Sequence, residues 1–101
     1  MRVEREIEQR VNYTGSWGET KPKTRTMKYI VRLPEGEKTY GSFEMYDVES
    51  RGEEFYGEGG LWFSDEKELQ EYDGVFALSD TILDMCEENG FNVEDMRKTL
   101  S

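Results

Sequence analysis

The apolar residues of this chain recur at every second position through most of its length and change to a helical spacing only after Ser79. That switch of period orders the architecture: strands come first and helices last. Residues 3 to 13 set Val3, Ile7, Val11 and Tyr13 on one parity, with Arg2, Glu4, Glu6, Glu8 and Arg10 on the other. This reads as a half-exposed strand. A helix is the alternative, because Val3, Ile7 and Val11 are also four apart. A polar connection, Thr14 to Lys23, carries Trp17 between glycines. Trp17 is either a lid on an edge of the core or an exposed contact residue.

Thr24 to Leu33 alternates clearly, with Met27, Tyr29, Val31 and Leu33 on one face and Thr26, Lys28 and Arg32 on the other; Ile30 breaks the pattern. Leu33-Pro34-Glu35-Gly36-Glu37 is a turn, since Pro34 presets the first turn residue and Gly36 accepts positive φ. Lys38 to Val48 therefore returns antiparallel, apolar on both faces as in a central strand, or with a bulge near Gly41. After a polar turn at Glu49 to Glu53, Glu54 to Phe63 forms the next strand, ending in Leu61, Trp62 and Phe63 behind two glycines. Ser64 to Lys67 turns the chain, Leu69 and Tyr72 resume an extended pattern, and Asp73-Gly74 breaks it before Val75, Phe76 and Leu78 lead into a helix.

The helix from Ser79 to Asn89 has both end signals. Ser79 offers its hydroxyl as an N-cap and Asp80 adds negative charge at the positive end of the dipole, while Gly90 suits the left-handed residue that closes the last turn. At about 100° per residue, Leu78, Ile82, Met85 and Cys86 share a side and Asp80, Asp84, Glu87 and Glu88 take the other. A shorter helix follows, capped by Asn92, with Val93, Met96 and Leu100 on its buried side and Arg97 and Lys98 near its negative end. The fold expected is α+β, an antiparallel sheet of four or five strands with two C-terminal helices on one face. Its core is expected to contain Met27, Tyr29, Val31, Phe43, Leu61, Phe63, Ile82, Met85 and Met96.

At 101 residues the chain is long enough for one domain with a modest core. Its single cysteine rules out an internal disulfide framework. No apolar run approaches the ~20 residues of a membrane span, and the charged N-terminus lacks the apolar stretch of a signal peptide. A reducing cytoplasm is the expected compartment, and Asn12-Tyr13-Thr14 matches a glycosylation acceptor only by accident.

Charge is distributed unevenly. Residues 1 to 32 carry four acids and eight bases, whereas Glu44 to Asp95 carry seventeen acids against Arg51 and Lys67. Such a surface repels nucleic acid and anionic membranes and speeds encounter with a basic protein. The same charge also serves solubility.

Chemistry is constrained by what the chain lacks. It has no histidine, so the commonest general base and metal ligand is missing and Cys86 has no imidazole to activate it. Cys86 belongs to the apolar face of its helix and is expected in the core. Gly57-Glu58-Gly59-Gly60 is a loose match to a phosphate cradle, without the lysine and with Glu58 where a phosphate would be repelled. The loop from Asp65 fails as a calcium site because Lys67 and Leu69 fall at ligand positions and Gln70 replaces the required glycine. Glu68, Glu71 and Asp73 lie close in sequence to Trp62 and Tyr72, but acid–base work needs one carboxyl raised by burial, which the sequence does not show. No catalytic residue, metal or cofactor is assigned.

In size, acidity and want of a catalytic motif the chain resembles small inhibitors carried by phages and mobile elements, including anti-restriction and anti-CRISPR proteins. The resemblance lies in composition, covers no motif and carries over no residue roles. It implies a non-catalytic protein that occupies the basic, nucleic-acid-binding surface of an enzyme or complex. Two rows of carboxylates would serve: Asp65, Glu66, Glu68 and Glu71 on the hairpin, and Asp80, Asp84 and Glu87 on the helix, with Trp17 or Trp62 as apolar anchor. The alternative is a small accessory domain, homodimeric or otherwise oligomeric, whose acidic face is only solvated.

Overall fold

The computed structural model describes residues 1–14, 18, 20–49, 52–74 and 78–100, apart from the side chains of residues 11–14, 20 and 21. Five antiparallel strands, β1 (Arg2–Thr14), β2 (Thr20–Arg32), β3 (Tyr40–Asp47), β4 (Glu54–Phe63) and β5 (Leu69–Gly74), are followed by α1 (Asp80–Glu88) and α2 (Glu94–Leu100). Each strand pairs with the next in an unbroken meander. This is the α+β arrangement the period switch predicts, and residues 3 to 13 are strand.

Parity decides which side chains meet the helices. Val3, Ile7, Met27, Tyr29, Val31, Phe43, Met45 and Leu61 point to one face, where Leu78, Ile82, Leu83, Met85, Cys86, Val93 and Met96 close the core over them. All nine expected core residues and Cys86 are buried. Leu100, expected on the buried side of the second helix, is not: it is 39% exposed at the last residue of α2. Buried Leu83 widens the apolar stripe beyond the one expected.

The local signals account for the ends of α1. The Ser79 hydroxyl accepts from the Ile82 amide at 3.4 Å, and Gly90 takes φ 92° so that Phe91 folds back and donates its amide to the Cys86 carbonyl. The Asn92 side chain caps α2 by accepting from the Glu94 amide. Asn92 also donates its amide to the Lys67 carbonyl while its carbonyl accepts from Leu69, so the link between the helices is stitched to the start of β5.

Other details depart from the sequence pattern. The irregularity in β3 lies at Met45/Tyr46, not at Gly41. Gly41 is instead a point of close packing, where a Cβ would come 2.6 Å from the Arg32 carbonyl oxygen. Pairing in β5 continues through Asp73 and Gly74, because Gly74 lies opposite Gly59 and the two backbones are close. The second strand begins at Thr20, so that Lys21-Pro22-Lys23 is extended too, paired with Val11 to Tyr13 of β1. The third strand pairs only with Met27 to Arg32, so Pro22 has β1 alone as a neighbour and its missing N–H breaks no ladder in the central sheet.

Candidate functional site

The helices cover one face of the sheet, so the other face and the β4–β5 hairpin are where surface chemistry collects. The acidic row on α1 is the first candidate. Asp80, Asp84 and Glu87 project together as their spacing predicts, but α2 returns Arg97 to their midst: its guanidinium is 2.5 Å from Asp84, 3.7 Å from Asp80 and 3.8 Å from Glu87. One cation thus serves three carboxylates. The fourth acid of that side, Glu88, pairs with Arg5 of β1. The Arg97 pairs tie α2 to α1 and the Arg5 pair ties α1 to the sheet, and together they leave less free charge on α1 than the sequence row implies.

The hairpin is different. Asp65, Glu66 and Glu71 are exposed and Glu68 is half-buried, and none of them has a basic partner among the described residues. Lys67, the cation in their midst, directs its ammonium over the Phe91 ring at 5.9 Å instead of to a carboxylate. It also adopts φ 64°, a left-handed conformation that closes the Ser64–Lys67 turn with its amide donating to the Ser64 carbonyl. Because the helix linker is bonded to β5, the first turn of α2 lies beside the hairpin, and Asp95 faces Glu68. Hydrogen bonding to Asp95, then its negative charge, raise the Glu68 pKa above its ordinary value. Glu58 and Asp73, also exposed and without a basic partner among the described residues, extend this charge along β4 and β5.

The open face of the sheet carries the third group. Tyr40 and Trp62 stand opposite each other on β3 and β4 with ring centroids 5.4 Å apart, edge to face. Tyr46 and Phe55 make a second such pair at 5.9 Å. Tyr40, Phe55 and Trp62 are 57%, 55% and 39% exposed. Between the pairs runs a cleft of about 530 Å³ floored by Gly59, Gly60 and Gly74 and walled by Glu44, Glu58 and Asp73. Ile30, whose misplaced parity broke the sequence pattern, lies on this side between Glu4 and Glu44 and is covered by its neighbours.

The glycines of Gly57-Glu58-Gly59-Gly60 have a structural reason unrelated to phosphate. At Gly59 a Cβ would stand 2.5 Å from the Phe43 ring, which crosses the strand beneath it, and 2.3 Å from the Asp73 carbonyl oxygen. At Gly60 it would stand 3.0 Å from the Trp62 ring, which folds back over that residue on the open side. Two aromatic rings on opposite faces therefore use adjacent glycines as shelves.

Cys86 is fully buried, and burial pushes its thiol up to about 12. It cannot supply thiolate at neutral pH. Among the described residues no group of three or more Cys, Asp or Glu is arranged to hold a metal ion, and no helix is long and apolar enough to cross a membrane. Trp17 lies outside the described residues. Of the expected contact residues the structure places Trp62 beside Glu71, its register partner on β5, and sets Asp80, Asp84 and Glu87 around Arg97. The open-face aromatics Tyr40, Tyr46 and Phe55 are not singled out by the sequence, although Tyr40 and Tyr46 alternate there against Phe43 and Met45. Compared with protein-family models, curated proteins and solved structures, the chain matches none of them.

Proposed function

We propose that this protein is a non-catalytic binding protein whose acidic hairpin occupies a basic, nucleic-acid-binding surface of a partner protein, in the manner of phage anti-defence inhibitors. The observation that carries this reading is the run of carboxylates from Glu58 through Asp65, Glu66, Glu68, Glu71 and Asp73 to Asp95, which the fold gathers without a basic partner among the described residues. Elsewhere most of the described acids have a basic partner, among them Glu44 with Arg32, Glu53 with Lys28, Asp47 with Arg25 and the α1 row with Arg97, while Glu6, Glu8 and Glu37 stand apart from the hairpin group. Unpaired like charge costs stability. A protein that pairs most of its acids but leaves one contiguous group exposed presents that group to an external cation, and the binding energy recovers the repulsion.

The test is capture from lysate at low salt, with charge reversal of Asp65, Glu66 and Glu71 to lysine as the control. The reading expects a partner with a nucleic-acid-binding surface, released steeply as salt rises, displaced by its nucleic acid and lost in the triple variant. A partner retained equally by the variant, or self-association alone, would favour an accessory domain with a solvated acidic face.

A further inference from the structure

The two aromatic pairs on the open face are in different states. At the Tyr46–Phe55 end the molecule supplies its own cation: the Lys28 ammonium lies 5.4 Å from the Tyr46 ring centroid and pairs with Glu53. Aromatic face, cation and carboxylate form a closed set there. At the Tyr40–Trp62 end the same set lacks its cation. Trp62 pairs in register with Glu71, and Gly60, under the Trp62 ring, pairs with Asp73. Glu71 and Asp73 are exposed, and among the described residues no cation lies over Trp62 or Tyr40.

We infer that the Tyr40–Trp62 end of the open face is a docking site for an extended, arginine-bearing segment of the partner protein. This rests on the reading that the partner surface is basic, and adds which side chains are recognised and where. Glu71 and Asp73 are alternate residues of β5, so their side chains leave the same face about 7 Å apart. An extended peptide repeats its own side chains at that spacing. A guanidinium fits because its flat face stacks on indole or phenol while its edge still donates two hydrogen bonds to a carboxylate. An ammonium can sit over a ring and meet a carboxylate, as Lys28 does, but it has no flat face to stack and no fixed fork to give one carboxylate two parallel hydrogen bonds. The cleft of about 530 Å³, floored by Gly59, Gly60 and Gly74, is where the peptide backbone would lie.

The experiment titrates ¹⁵N-labelled protein with two synthetic peptides, (Arg-Thr)₄ and (Lys-Thr)₄, in ~20 mM salt. The arginine peptide is expected to bind at least about fivefold more tightly than the lysine peptide, to shift the Trp62 indole and the Gly60 and Asp73 amides, and to lose its advantage in Trp62→Leu but not in Trp62→Phe. Trp62 is partly exposed, so both variants should fold, and their amide spectra report whether they do. Equal affinity for both peptides, with shifts confined to Asp65, Glu66 and Glu68, would overturn this docking site while leaving the acidic-hairpin reading intact. Binding of neither peptide would overturn it too, and capture from lysate would then judge the broader reading separately. A dimer in sedimentation that Trp62→Leu dissociates would overturn it in favour of a second copy of the chain.

Discussion

Arg97 of α2 reaches across the helix junction to put its guanidinium 2.5 Å from the carboxylate of Asp84 on α1, with Asp80 and Glu87 also within 4 Å. The pair is partly exposed, so its worth is that of a surface network. Arg97→Gln should cost about 0.5 to 1 kcal/mol, and the loss should shrink in ~0.5 M salt. A double-mutant cycle with Asp84→Asn in urea unfolding measures the coupling. A coupling of zero would mean that the helix junction owes nothing to this pair. Reversing all three α1 acids to lysine would collect four cations at this point, so charge reversal meant to probe binding belongs on the hairpin.

Gly59 and Gly60 are neighbours with different tolerances. Gly59→Ala drives a Cβ into the backbone of β5 and the Phe43 ring, whereas Gly60→Ala meets only the edges of the exposed Trp62 and Tyr40 rings. The first should destabilise by about 2 to 3 kcal/mol or prevent folding, and the second by under about 1 kcal/mol. Thermal unfolding of the two variants side by side checks the order. Equal losses would refute the packing account of the glycine run.

Cys86 should resist a thiol reagent in the native protein and react at the rate of an unfolded peptide once urea exposes it. Its raised pKa also sets a sign for alkaline stability. The folded state disfavours the thiolate, so this contribution is fully present below the ordinary thiol pKa of 9.0 and is lost as pH rises from there toward about 12. In Cys86→Ala that part of the alkaline decline should be missing, although the variant starts from a lower stability because of the small cavity. Rapid labelling of native protein at pH 8 would show that the thiol is accessible.

Glu68 and Asp95 repel each other across the β5–α2 junction. Since the fold raises the Glu68 pKa above 4.5, its contribution favours the folded state at low pH and is lost as pH rises through the folded-state value. Glu68→Gln should therefore raise the melting temperature at pH 7 and leave it unchanged at pH 3. A variant less stable than the parent at pH 7 would show that Glu68 is held by a favourable contact instead.

The sequence made the core legible because burial here follows period. Met27, Tyr29 and Val31 could be assigned to one side from alternation alone, and Ile82, Met85 and Cys86 from helical spacing. What could not be read depends on partners set by tertiary geometry. Arg97 is 13 residues from Asp84, and only the turn at Gly90-Phe91 decides that the two helices face each other with opposite charges aligned. The purpose of Gly59 and Gly60 is fixed by the rings of Phe43 and Trp62, one on a neighbouring strand. For the candidate site, a count of acids located the charge but not its state of pairing. Asp80, Asp84 and Glu87 looked as available as Asp65, Glu66 and Glu71 until the position of Arg97 separated them.

The meander has a consequence for how the chain is made. Each strand pairs with its immediate predecessor, so the sheet can assemble by successive short loop closures as the polypeptide leaves the ribosome, without waiting for a distant segment. Its helical cover is encoded last. From the emergence of Phe63 until Ser79 to Met96 follow, the residues that close over the apolar side of the nascent sheet have yet to be made, an interval of a few seconds at ~5 to 20 residues per second. During that interval the charged alternate face, with Glu4, Glu6, Lys28 and Arg32, works against association of unfinished molecules through that side of the sheet.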